Sequence, residues 1–109
     1  MRDILFRGKR LYNGEWEYGF IVKMFGAYHI IDKDDENTAY EVIPETVGQF
    51  TGLNDKNGKR IFEDGYMIID KQTYKVLFDN GEYILKNIFN CDAIQLKNNS
   101  NIGVFVDEI

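Results

Sequence analysis

The sequence predicts a mainly β fold, a small antiparallel barrel or sandwich with little helix, and three observations carry the prediction. Residues 16 to 24 alternate strictly, with Trp16, Tyr18, Phe20, Val22 and Met24 on one side and Glu17, Gly19, Ile21 and Lys23 on the other. That two-residue period belongs to a half-buried strand. Asn-Gly pairs at 13–14, 57–58 and 80–81 supply residues that tolerate the left-handed backbone of tight hairpin turns. Short aromatic and β-branched segments recur between turn signals, and no long stretch sustains a 3.6-residue period.

Taken in order, residues 4 to 12 and 15 to 24 form a hairpin around Asn13-Gly14. Residues 28 to 32 and 40 to 43 are short strands separated by the acidic loop Asp32-Lys33-Asp34-Asp35-Glu36-Asn37. Pro44, the only proline, ends the second of them, and the following Glu45 suits one helical or 3₁₀ turn. Gln49-Phe50-Thr51 and Arg60-Ile61-Phe62 are joined by a polar turn holding Asn57-Gly58, where an Asx side chain can close the loop. Asn80-Gly81 turns the strand of residues 74 to 78 back into that of residues 82 to 85. Residues 66 to 70, 92 to 97 and 102 to 106 complete the strands, with 98 to 101 as a loop. Residues 84 to 93 stay open, because Ile84, Leu85, Ile88 and Phe89 also fit one face of a short helix.

A chain of 109 residues is expected to bury roughly 65% of its unfolded surface around one core, as a single domain spanning 1–109. Eight Phe, seven Tyr and one Trp furnish that core without metal or disulfide. Cys91 is alone, and residues 1 to 10 lack a leader's apolar run, so cytoplasmic residence is expected. No apolar run approaches the roughly 20 residues of a spanning helix, and no membrane contact is expected. The net charge of −5, with 18 acidic and 13 basic residues interspersed, argues against a phosphate-backbone footprint.

Chemistry has few places to reside. His29 and Cys91 are the only residues of their types, so a thiol–imidazole site would have to use that pair. The ordinary reading puts His29 on the solvent face of its strand and packs Cys91 as a small apolar residue. A zinc site lacks ligands. Asp32, Asp34 and Glu36 are spaced like the start of a calcium loop, but Asn37 stands where a glycine must turn and Ile43 where a bidentate Glu belongs. A solvated acidic loop is the better reading. The pairs Glu63-Asp64 and Asp107-Glu108 are read as surface groups, and Gly48 to Gly52 has no phosphate-cradle spacing. No catalytic residue, metal or cofactor is expected. Lys56, Asn57, Lys59 and Arg60 form the candidate interaction loop, flanked by Phe50 and Phe62.

Residues 43 to 69, reading IPETVGQFTGLNDKNGKRIFEDGYMII, resemble the central signature of the YopX family of phage and prophage proteins. Ile4-Leu5-Phe6-Arg7-Gly8 and Trp16-Glu17-Tyr18-Gly19 resemble its amino-terminal pattern, and Ile102-Gly103-Val104 its carboxyl-terminal segment. Two departures stand out. The family's usual Glu-Gly-Asp becomes Glu63-Asp64-Gly65, and its ending is shortened. The resemblance implies a mostly β fold with an SH3-like barrel element, a phage or prophage origin and no catalytic residues. Within the signature, Thr51, Gly52, Asp55, Gly58, Ile61 and Phe62 read as structural: a close backbone approach at Thr51-Gly52, a tight turn at 55 to 58 and a return to the core. A recognition surface on the same loop is the alternative.

The leading expectation is a non-enzymatic protein-interaction or assembly module, as a homo-oligomer or with a phage or host protein, in the cytoplasm of a bacterial host. A nucleic-acid-binding β-barrel in phage replication or regulation is second, and an enzyme of unknown type third.

Overall fold

The computed structural model describes residues 4 to 108 and is mainly β, built of antiparallel strands. In chain order the strands are β1 (Phe6–Lys9), β2 (Trp16–Met24), β3 (Ala27–Asp32), β4 (Ala39–Glu41), β5 (Gly48–Asn54), β6 (Arg60–Phe62), β7 (Tyr66–Ile69), β8 (Gln72–Asp79), β9 (Glu82–Asn87), β10 (Ala93–Gln95) and β11 (Val104–Val106). The helical pieces among the described residues are two 3₁₀ turns, Pro44–Thr46 and Ser100–Ile102. Pro44 opens the first of these, as its fixed φ suits. The chain divides into two compact units, one ending at Phe50 and the other beginning at Thr51.

In the first unit the strands lie in the order β4-β3-β2-β1-β5. Gly19 permits the closest approach. A Cβ at that position would stand 1.8 Å from the carbonyl oxygen of Ile31, and beside it Lys33 N–H donates to the Tyr18 carbonyl at 3.2 Å. The sheet then curls until the end of β1 meets the end of β4 in an isolated antiparallel bridge, Arg10↔Val42. Leu11 N–H donates to Glu41 at 3.0 Å and Ile43 N–H to Lys9 at 2.9 Å along this seam. Gly8 lets the two segments meet, since an added Cβ would lie 3.0 Å from Val42 Cβ. Leu5, Ile30 and Val42 are the buried apolar residues here, each contributing about 1.5–3 kcal/mol by burial. Arg7 is buried too, its guanidinium 3.9 Å from the centre of the Trp16 ring. The two sheets stay open: the seam is a single bridge and not a continuous ladder that would make a barrel.

Two details differ from expectation. The β1–β2 connection runs over the six residues 10 to 15, in which Gly14 alone takes positive φ, and Asn13 Oδ1 instead accepts the N–H of Glu15 at 3.0 Å. Along β2 the apolar side is not a buried side, because Phe20 is half exposed while Gly19 is buried. The β2–β3 hairpin closes on Phe25-Gly26, both with positive φ (52° and 78°), and the Phe25 ring is fully exposed. A side chain other than Asn, Asp or Gly is strained there. Phe25→Asn is expected to stabilise the protein by roughly 0.5–1 kcal/mol, read as a higher midpoint in urea denaturation; a lower midpoint contradicts the strain.

The second unit holds β6, paired to β5, and a five-stranded sheet ordered β10-β9-β8-β7-β11. Ile61, Phe62, Met67, Val76, Leu85, Leu96 and Phe105 are almost completely buried and form its core. Val76 and Leu85 are direct cross-strand partners. Asn80-Gly81 makes the expected two-residue turn, with φ 50° and 82°, and Phe78 and Tyr83 meet edge-to-face at 4.9 Å just inside it. Asp70-Lys71 makes the same kind of turn without any glycine, at φ 50° and 66°. The undecided stretch resolves as strand to Asn87 followed by a turn. Buried Asn87 organises that turn: its Oδ1 accepts from Phe89 N–H at 2.9 Å and Asn90 N–H at 3.2 Å, and its Nδ2 donates to Gln72 at 2.6 Å.

Candidate functional site

The signature residues of the second unit come together around one carboxylate. Asp55, at 5% exposure, accepts three backbone N–H groups: Asn57 and Lys59 on Oδ1, both at 2.9 Å, and Phe105 on Oδ2 at 2.8 Å. The first two close the 55 to 58 turn, helped by Gly58 at φ 83° and its N–H on the Asp55 carbonyl at 3.0 Å. The third holds β11, and the Gly103 carbonyl just before that strand accepts Lys56 N–H at 3.1 Å. Burial raises the Asp55 pKa, but the three N–H bonds and the Lys59 charge outweigh it and hold the carboxyl below its ordinary value.

The other signature positions serve the same frame. Thr51 is buried and its hydroxyl donates to the Ile61 carbonyl at 2.8 Å. Gly52 takes φ 87°, so its glycine answers a left-handed backbone position. Ile61 and Phe62 enter the core. Gly103, in the carboxyl-terminal segment, leaves room for Ile69, whose Cγ1 would lie 2.6 Å from an added Cβ. The exchanged pair finds an explanation too: Asp64 has φ 70° where the family pattern carries glycine, and Asp is among the residues that adopt this region.

Lys56, Asn57, Lys59 and Arg60 are all exposed on this loop. Lys59 Nζ lies 3.9 Å from Asp107 and 5.5 Å from the centre of the Phe105 ring. Of the two flanking rings, Phe62 is buried and Phe50 half-buried, so the loop presents cations without the stacking platform a single strand wants.

The remaining sequence candidates are dispersed. His29 is half-buried in the first unit, its Nδ1 3.1 Å from the Ala27 carbonyl, whereas Cys91 belongs to the second unit. Cys91 does not pack as a small apolar residue: it sits exposed at φ 65° in the turn after Asn87. The acidic loop spends its carboxylates on itself. Asp32 Oδ1 accepts Asp34 N–H at 2.8 Å, and Asp35 accepts Asn37 N–H at 3.1 Å and the Thr38 hydroxyl at 2.5 Å. The Thr38 bond foremost lowers the Asp35 pKa. Among the described residues no three His, Cys, Asp or Glu side chains cluster as metal ligands would.

A cleft that no motif marks lies in the first unit beside the β1–β4 seam. Arg10, Tyr12, Asn13, Ala39, Tyr40 and Glu41 line a volume of about 260 Å³. Arg10 is fixed from two sides. Its guanidinium stacks on Tyr40 at 3.8 Å from the ring centre, and its Nε donates to Glu17 at 2.6 Å while a second guanidinium nitrogen also contacts that carboxylate. Desolvation works against the Arg10 charge, but the Glu17 bond and the charges of Glu17, Tyr40 and Glu15 hold its pKa above the usual value. Glu15 stands 3.9 Å away and Glu41 lies on the rim, so carboxylates outnumber cations. Tyr12 projects at 91% exposure. Only the pairing of residues near 10 with residues near 42 assembles this cleft, which is why spacing along the chain did not reveal it.

No curated protein matches the chain. A family model described as YopX protein matches residues 5–106, a span that takes in the amino-terminal pattern, the Asp55 frame and the carboxyl-terminal segment. The chain belongs to the YopX family.

Proposed function

We propose that this YopX protein acts by binding rather than by catalysis, as a protein-interaction module of a temperate phage or prophage in the cytoplasm of its bacterial host. The observation that carries the reading is the seam cleft. Its one lining cation, Arg10, is matched by Glu17 and Glu15, leaving Glu41 to set the sign of the lining, and it offers the exposed Tyr12 ring beside Tyr40, on which Arg10 already stacks. Aromatic faces and carboxylates together suit an Arg or Lys side chain, held by cation–π attraction and by charge. The partner is thus a phage or host protein presenting a basic residue. The curl of the first unit is read as the SH3-like element that the family resemblance implies.

Panning a random peptide library on the immobilised protein is expected to enrich Arg or Lys at a fixed position. Tyr40→Ala and Glu41→Lys are each expected to weaken the selected peptides at least tenfold, about 1.4 kcal/mol. Enrichment of acidic peptides, or unchanged affinity in both variants, contradicts the reading.

Nucleic-acid binding through Lys56, Lys59 and Arg60 has weaker support, because Phe62 is buried and Lys59 lies beside Asp107. No binding to oligonucleotides is expected at low salt, where phosphate contacts are strongest.

A further inference from the structure

The three Asn-Gly pairs are chemically alike in sequence, yet they differ in what restrains them. Asparagine followed by glycine is the dipeptide in which the next backbone nitrogen most readily attacks the side-chain amide, since glycine offers no Cβ to block it. Two of the three are held back by hydrogen bonds. Gly14 N–H donates to the Arg10 carbonyl at 3.0 Å, and the Asn13 side chain is engaged by Glu15 N–H. Gly58 N–H donates to the Asp55 carbonyl at 3.0 Å, inside the turn that the Asp55 carboxylate closes.

The third pair is different. Asn80 and Gly81 are both exposed, and among the described residues neither the Asn80 side chain nor the Gly81 N–H makes a hydrogen bond. The hairpin end that carries them also sets two like charges face to face. Asp79 and Glu82 are direct cross-strand partners, and like charges facing each other across an antiparallel pair destabilise it. Fraying of that last pair frees the turn from its left-handed conformation and lets the Gly81 nitrogen reach the Asn80 Cγ.

We propose that Asn80 is a site of spontaneous backbone modification, deamidating ahead of the other two Asn-Gly pairs. The Gly81 nitrogen loses its proton and bonds to the Asn80 Cγ. The Cγ–NH₂ bond breaks and ammonia leaves, giving a five-membered imide. Water then opens the ring at either carbonyl to give an aspartate or an isoaspartate at position 80. Nothing is oxidised or reduced, and one negative charge is added to the turn. The new carboxylate joins those of Asp79 and Glu82, and the isoaspartate product adds a methylene to a loop whose two residues fit its strands. Both products weaken the β8–β9 hairpin end.

The test is peptide mapping by mass spectrometry after incubation of the intact protein at mildly alkaline pH, with isoaspartate detected by enzymatic methylation. Asn80 is expected to convert at least about fivefold faster than Asn13 or Asn57, the order by which a retained hydrogen bond protects their glycine nitrogens. In urea the three rates should converge. Asp79→Lys, which replaces the repulsion by an attraction to Glu82, is expected to slow conversion at Asn80 several-fold. Faster conversion at Asn13 or Asn57, equal rates in the folded protein, or an unchanged rate in the Asp79→Lys variant overturns the proposal.

Discussion

Asp55→Ala is expected to lower the unfolding free energy by about 3 kcal/mol. The substitution removes one carboxylate that satisfies three backbone N–H groups, two in its own turn and one on β11. Hydrogen bonds to a charged group contribute more than neutral ones, and a buried N–H left unsatisfied retains the full desolvation cost. The Phe105 N–H is the buried one, so the loss falls on the β11 end of the five-stranded sheet. Asp55→Asn keeps the shape but only one of the two acceptor oxygens, and its NH₂ must face either the Phe105 N–H or the two turn N–H groups, so a loss of about 2 kcal/mol is expected.

The same carboxylate gives the stability a pH dependence whose sign follows from its direction of shift. Its folded pKa lies below the unfolded value, which is about 3.9 for an aspartate. The folded state therefore binds fewer protons in that range, and stability falls as pH drops. The contribution is complete above the unfolded value and is lost as pH falls through the folded one. Urea denaturation across a pH series should show the wild type converging on Asp55→Asn below about pH 4. A constant gap between the two down to strong acid contradicts this.

Gly19→Ala is the second large effect, expected to cost about 3 kcal/mol or more. The methyl group would stand 1.8 Å from the Ile31 carbonyl oxygen and 3.0 Å from the Lys33 nitrogen. Both are backbone atoms, so no rotamer change relieves the contact and β2 must part from β3. Gly8→Ala is a control at the same sheet. There the added carbon meets side-chain carbons of buried Val42 at 3.0 to 3.2 Å, a tight contact that a shift of a few tenths of an ångström relieves, and a smaller cost of about 1–2 kcal/mol is expected. Thermal melts of the two variants rank the effects; equal melting temperatures contradict the close approach at Gly19.

These residues also mark what was legible in the sequence. Alternation and turn chemistry located strands and the Asn80-Gly81 hairpin because both are local properties, decided within a few residues. The turns at Phe25-Gly26 and Asp70-Lys71 escaped, since one left-handed residue of each, Phe25 and Lys71, is not one that local preference selects; the strands on either side impose them. Gly19 stood in plain view in Trp16-Glu17-Tyr18-Gly19, but its reason is a carbonyl on the neighbouring strand. Asp55 was readable as a turn residue and unreadable as the anchor of Phe105, which follows it by half the chain's length. The cleft was invisible for the same reason: Arg10 meets Tyr40 only once the sheet has curled. Periodicity carries elements, whereas a site made of side chains from two distant segments has no period.

Scaffold and proposed surface therefore separate in this chain: the signature loop ties the turn at 55 to 58 to β11, and the seam of the first unit is where we propose that a partner's cation binds. The direct measurement is a two-dimensional amide NMR titration of the labelled protein with a short arginine peptide carrying blocked ends. Shifts confined to Arg10, Tyr12, Asn13 and residues 39 to 41, absent with the matching glutamate peptide, are the expected result. Shifts centred on Lys56, Asn57, Lys59 and Arg60, or no arginine-dependent shift at the seam, would contradict the assignment of recognition to the cleft.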